Sequence, residues 1–214
     1  MFSLGSDPAS LVQRLAVSIP GLLLAVAFHE YCHARLAVRL GDPTPEEDGR
    51  LTMNPLAHLD PVGALMLVLV GFGWAKPVQV HGQNFKNPLS DMALVAVAGP
   101  LANIVLATAS VLAWRLLEAS GAQGPVFDPL GAMLWTSFAL NVGLAVFNLL
   151  PVPPLDGSRV LFWLLPAREA EVLARLEPYA PLVLIVLVVS GALGPILRPL
   201  YGAVASLILW GTRF

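Results

Sequence analysis

The sequence predicts an all-α polytopic membrane protein, a helical transmembrane bundle with short membrane-associated β-strands. Two observations carry this. Hydrophobic residues make up 57% of the chain and charged residues 12%, about half the roughly 25% charged content of an ordinary soluble domain. Gly- and Pro-rich stretches also divide the apolar sequence into five blocks. A third observation points to function: residues 28–34, FHEYCHA, place two histidines and a glutamate in one of those blocks, where ionisable groups are costly.

The first block runs from about Leu11 to Leu40, with HEYCH, Arg35 and Arg39 in its last third. An apolar run at 15–28 ending in Ala25, Val26 and Ala27 has the look of a cleavable signal. However, cleavage there would remove the helix just before His29, and Asp7 cancels Arg14 where a signal needs net positive charge, so a retained span is expected. The polar stretch from Gly41 to Asp60 stops any helix. Within it Arg50–Met53 alternates as a short strand does, and Lys76–Val80, KPVQV, alternates again as a partner strand. Between them Pro61–Ala75 is short for a span of ~20 residues, so it either re-enters or crosses. Asp60 caps it.

The third block, Pro88 to about Leu117, contains AGPLAN, and the fourth starts at Asp128-Pro129, read as N-cap and first helical residue, and ends in NLLPVPPLDG. Residues 167–177 are polar enough for the membrane surface, with Glu171 and Arg175 spaced to pair. The remainder, about 180–212, suits a helical hairpin interrupted by GPILRP. The 214 residues therefore read as one membrane domain, 1–214, without a separate soluble module. A formal charge of -2 gives no footprint for nucleic acid, and the single Cys32 excludes an intrachain disulfide.

On a helix His29 and His33 lie about 40° apart on one face, with Glu30 about 60° beyond His33. Two imidazoles at this spacing bind one metal while the carboxylate reaches an open coordination position. A divalent cation also offsets the cost of burying all three groups. Cys32 projects to the other side and reads as packing. Catalytic zinc usually takes three protein ligands, and the candidates for the third are His58, Asp60, His81, Asp91, Asp128 and Asp156. Asp156 is the best of them, because prolines 151, 153 and 154 break the helix at a depth where irregular backbone must line a cavity.

FHEYCHA, AGPLAN and NLLPVPPLDG, in that order in an apolar chain, resemble the site-2 protease family of intramembrane zinc metalloproteases. GRLTMNPLAHLDPVG and GFGWAKPVQV further resemble a compact branch without the PDZ or CBS domains of larger relatives, so the likeness covers about residues 20–165. The resemblance implies one Zn2+ per chain held by His29, His33 and Asp156, Glu30 as catalytic base and proton shuttle, and Asn148 and Asn103 as groups on or near the substrate. His58 and Asp60 match the branch pattern without an evident role. It also implies hydrolysis of peptide bonds within or near transmembrane segments of membrane-protein substrates. An exposed edge on GRLTM or KPVQV could then hold an unwound substrate strand.

Two other classes share the scaffold: a membrane metal transporter and a catalytically inactive substrate-binding protein. A transporter needs no Glu30 outside the ligand set, and an inactive relative would have lost one of the four residues. If Pro61–Ala75 does not cross, HEYCH and LDG approach the same face. Nine of the 12 basic residues, Arg35, Arg39, Arg50, Lys76, Lys86, Arg159, Arg168, Arg175 and Arg213, then lie on that side, against Arg14, Arg115 and Arg198 opposite. The positive-inside bias places the active site nearer the cytoplasmic side of the cell membrane.

Overall fold

A computed structural model describes residues 8–70 and 73–213. Three helices are long and apolar enough to cross a bilayer: α1 (Pro8–Leu40), and two whose ranges are Pro88–Ala119 and Phe127–Asn148. Between α1 and the second of these lie a short turn of helix, α2 (Thr44–Glu47), and α3 (Pro61–Val70). The two long helices that follow are therefore α4 and α5. After α5 come α6 (Gly157–Leu164), α7 (Ala167–Ala174), α8 (Ala180–Val189) and α9 (Gly194–Gly211). A fourth crossing arises if α7 and the bent segment Glu177–Val189 count as one span.

The bundle is built as lipid requires. Alanines take the contacts between long helices, with Ala25, Ala34, Ala37, Ala107 and Ala145 all fully buried, so that backbones approach closely. Large side chains such as Leu24, Leu94, Leu101 and Val105 point outward, where the solvent is itself apolar. Helices α1, α4 and α5 pack pairwise, and α9 closes onto α5 through Phe138, Val142, Val146, Ala205 and Ile208. Leu184 of α8 packs on Leu150 and Leu155, covering the loop after α5.

α3 has 10 residues, about 15 Å of helix, half of the ~30 Å hydrocarbon core. It does not meet the length of a span, although residues 71–72 of the second apolar block lie outside those described. Asp60 caps it as expected, accepting the Gly63 N–H at 2.7 Å. The Glu171–Arg175 pair also forms, at 2.7 Å. α5 begins at Phe127, and Asp128 sits inside its first turn with its carboxylate on the Gly124 N–H at 3.1 Å.

The expected strands do not form. Among the described residues the extended pairing reduces to one isolated antiparallel bridge, Leu59 with Ala75, supported by Lys76 N–H donating to the His58 carbonyl at 2.8 Å. GRLTM bends instead: Gly49 turns at φ +66°, the Arg50 guanidinium is buried on the Ala57 carbonyl, and His58 Nε2 takes the Thr52 carbonyl at 2.9 Å. Its alternating pattern reflects side chains folding back on their own loop. KPVQV has no regular secondary structure and bonds to α1, its Val78 N–H donating to Glu30.

Asp42 ties this loop region to the end of α1. Fully buried, it accepts the Thr44 hydroxyl, the His81 N–H and the Asn84 amide, each at 2.7 Å, and the Thr44 N–H at 3.2 Å. Burial alone would raise its pKa, but these donors outweigh it and hold the carboxyl below its ordinary value of 3.8. A depressed carboxylate contributes stability that is present above the unfolded pKa and is lost as pH falls through the folded one. Asp42→Ala is expected to cost about 3 kcal/mol by stranding buried donors, read as a lower thermal midpoint in detergent. The difference from wild type should shrink as pH drops below about 4. A midpoint unchanged at neutral pH would refute this.

Candidate metal centre

The HEYCH segment occupies the middle of α1's second half, inside the bundle. His29, Glu30 and His33 are each at most 9% exposed. One helical turn separates the two imidazoles, whose rings meet edge to face with centroids 4.5 Å apart. Their Nε2 atoms lie 2.9 Å from one another, and Asp156 Oδ2 lies 3.2 Å from His29 Nε2 and 3.3 Å from His33 Nε2. Among the described residues these three form the one group of histidine, cysteine or carboxylate side chains close enough to share an ion.

The far side of each ring shows what faces inward. His29 Nδ1 meets Asn103 Oδ1 at 2.6 Å, and His33 Nδ1 meets the Val95 carbonyl at 2.7 Å. Both partners accept, so both Nδ1 atoms carry the proton and both Nε2 atoms present lone pairs. Asp156 Oδ2, buried and without a hydrogen-bond donor, adds a third. Three lone pairs aimed at one point repel unless a cation lies between them. Their mutual distances approach the ~3.4 Å edge of a tetrahedron with ~2.1 Å bonds, so the donor set fits a zinc ion.

Asp156 reaches this point because its helix cap is given up. It stands at the N-cap of α6, yet its carboxylate makes no cap bond. Gly157 permits the placement: a Cβ there would lie 2.5 Å from the Leu149 carbonyl carbon and the Leu150 oxygen, backbone that cannot step aside. Gly99 of α4 is the matching close approach. A Cβ on it would meet His33 Nε2 and stand 2.6 Å from His29 Nε2.

The other ligand candidates have different partners. Asp60 caps α3, Asp91 accepts the Asn87 N–H at 3.0 Å, Asp128 binds Gly124, and His81 Nδ1 lies 3.1 Å from the Thr44 hydroxyl. His58 is fully buried on the Thr52 carbonyl. Cys32 is half-buried and free, outside the cluster. Glu30 stays out of the ligand triangle, its Oε2 accepting the Val78 N–H from KPVQV at 3.0 Å. Asn148 donates to the Leu144 carbonyl of its own helix at 3.0 Å. Asn103 is fully buried, with Oδ1 on His29 and Nδ2 on the Ala25 carbonyl (3.2 Å) and Asn141 Oδ1 (2.9 Å). Its amide is thus engaged by His29, Ala25 and Asn141. Sequence reasoning singled out AGPLAN and KPVQV without finding the roles of Gly99 and the Val78 amide within them, and it missed Asn141, whose one signal is the cost of an asparagine inside an apolar helix.

Apolar helices that bring two histidines and a carboxylate to one buried point, with a glutamate held just outside it, belong to the intramembrane metalloproteases. Comparison with known proteins agrees and is more specific. The chain matches Peptidase family M50 over residues 115–191. Relatives that bear the name "Putative zinc metalloprotease" include YwhC of Bacillus subtilis strain 168, 36% identical over 94% of this chain and 92% of its own, and Rip2 of Mycolicibacterium smegmatis, 34% identical over 87% and 71%. Stage IV sporulation protein FB of Bacillus subtilis is 34% identical over 67% of this chain and 38% of its own length. No solved structure matches. The chain belongs to peptidase family M50 and is a zinc metalloprotease of the membrane.

Proposed function

We propose that His29, His33 and Asp156 hold one Zn2+ and that Glu30 is the general base that hydrolyses a peptide bond in a transmembrane segment of a protein substrate. The carrying observation is the convergence of three lone pairs on one point, with both imidazole protons drawn off to the far side by Asn103 and Val95. The metal, when bound, supplies a Lewis acid that polarises the scissile carbonyl and acidifies water. Glu30 takes the proton of the attacking water as its oxygen bonds to the carbonyl carbon, then delivers that proton to the amine nitrogen as the C–N bond breaks. The Val78 N–H keeps the carboxylate turned out of the ligand set. Asn148, at the end of α5 beside the loop that carries Asp156, contributes an amide to the substrate. The substrate helix must unwind here, because its carbonyls are otherwise hydrogen-bonded within the helix.

Wild-type protein is expected to carry one zinc per chain and the His29→Ala, His33→Ala double variant none. Full retention by the double variant in metal analysis would refute the ligand assignment. A metal transporter on this scaffold would have no use for Glu30 beside the cluster.

The site lies toward the cytoplasmic face, with α1 entering from outside. The short α3 supports this, since α1 and α5 then end on the same side, with Arg35, Arg39, Arg50, Lys76, Lys86 and Arg159 on or beside it. Two basic residues exchange sides relative to the sequence expectation, because the chain through α9 runs from Arg198, which lines a cavity with Val146 and Phe147 near the end of α5, to Arg213, which follows the Leu209 carbonyl that accepts from Arg115 at 2.7 Å. Single cysteines at Glu47 and Glu171 in a Cys32→Ala background should label from inside intact cells, and one at Gln123 from outside. The reverse pattern at any of the three would overturn the orientation.

A further inference from the structure

The metal ligands do not set their own proton positions, and the chain of contacts that does so runs deeper into the bundle than the motifs. Asn103 presents oxygen to His29 Nδ1 only if its amide is not rotated by half a turn. Rotated, its Nδ2 would face Nδ1, the imidazole proton would move to Nε2, and the lone pair that the metal needs would be gone. Two acceptors oppose that rotation: the Ala25 carbonyl, 3.2 Å from Nδ2, and Asn141 Oδ1, 2.9 Å from it. Asn141 has the same ambiguity, and it is resolved by the Ser137 carbonyl, which accepts its Nδ2 at 2.9 Å. A backbone carbonyl can only accept, so each amide downstream has one orientation. Asn103 and Asn141 are fully buried, and no water is needed to complete the chain.

We propose that Asn141 is a positioning residue for the metal centre: anchored on the Ser137 carbonyl, it fixes the amide of Asn103 and thereby the tautomer of His29. This rests on the ligand reading above. Outer partners of metal-bound histidines typically carry a 10–100-fold effect on metal affinity. Here the partner lies one residue further out, on a helix that supplies no ligand. A leucine at this position keeps the volume and loses both contacts. An aspartate in so buried a place stays protonated, so its hydroxyl can donate to Ser137 and its carbonyl can accept from Asn103, as the asparagine amide does.

The test compares wild type, Asn141→Leu and Asn141→Asp as full-length protein in detergent. Zinc affinity is read by competition with a chelator, and the ligand field by the visible spectrum of the cobalt-substituted form. Thermal unfolding confirms the fold of each variant. Asn141→Leu is expected to weaken zinc about 10–100-fold and to alter the cobalt bands, while Asn141→Asp stays near wild type in both. Equal zinc affinity and spectrum in Asn141→Leu and wild type would overturn the proposal alone, as would equal losses in the two variants, which would mark a packing effect. Wild type without a zinc site would overturn the ligand reading as well.

Discussion

Gly99→Ala is expected to empty the metal site without unfolding the bundle. The added Cβ would stand 2.6 Å from His29 Nε2 and closer still to His33 Nε2, on the edge where both imidazoles present their lone pairs. α4 cannot retreat, because α1 and α5 both pack against it through alanines. The rings must turn away, and turning breaks their bonds to Asn103 and Val95. Zinc affinity should fall by about 100-fold or more, the upper end of what outer partners contribute, and cleavage with it. Leu101→Ala on the same helix, at a position 57% exposed on the outside of the bundle, should leave both unchanged. Metal analysis of the two variants decides: a Gly99→Ala protein that keeps its zinc would mean that the rings have room the distances deny.

Glu30→Gln should separate metal binding from chemistry. The substitution keeps shape and volume, and the Gln carbonyl oxygen can still accept the Val78 N–H that Glu30 accepts at 3.0 Å. What disappears is the capacity to hold a water proton. Zinc content should therefore remain at one per chain while cleavage of a single-span peptide in detergent drops about 10²–10⁴-fold, the range for loss of a general base. Preserved turnover would remove Glu30 from the reaction. Loss of zinc together with turnover would instead make Glu30 a ligand, which its position outside the triangle of His29, His33 and Asp156 opposes.

The cluster of His29, His33 and Asp156 was legible because its signals are local or punctuated. HEYCH shows its geometry in five residues, and three prolines before Asp156 mark broken backbone inside an apolar chain. Long helices were legible for the same reason, since a bilayer demands uninterrupted apolar runs. The strands were misread because alternation over four or five residues has two physical causes. In Arg50–Met53 it arises from a loop whose arginine turns inward to the Ala57 carbonyl, and in KPVQV from an irregular segment whose amide is taken by a side chain of α1 rather than by a neighbouring strand. Gly99 lies in the AGPLAN motif and Asn141 is a polar residue in an apolar helix, but neither signal tells what the residue does. Their importance lies in what other helices bring within reach, and a single chain read in order does not contain that.

The proposed ligand set has a consequence for how the enzyme comes into being. His29 and His33 belong to the first long helix, but Asp156 follows the third, after Asn148 ends α5. A nascent chain thus inserts His29, Glu30 and His33 well before Asp156 leaves the ribosome. Until then there are two imidazoles and no carboxylate to balance a divalent charge, and α4, which presses on both rings, still lacks α5 behind it. On that assignment the metal site is complete only once the chain beyond α5 has folded back onto α1, so the donor set depends on closure of the whole bundle.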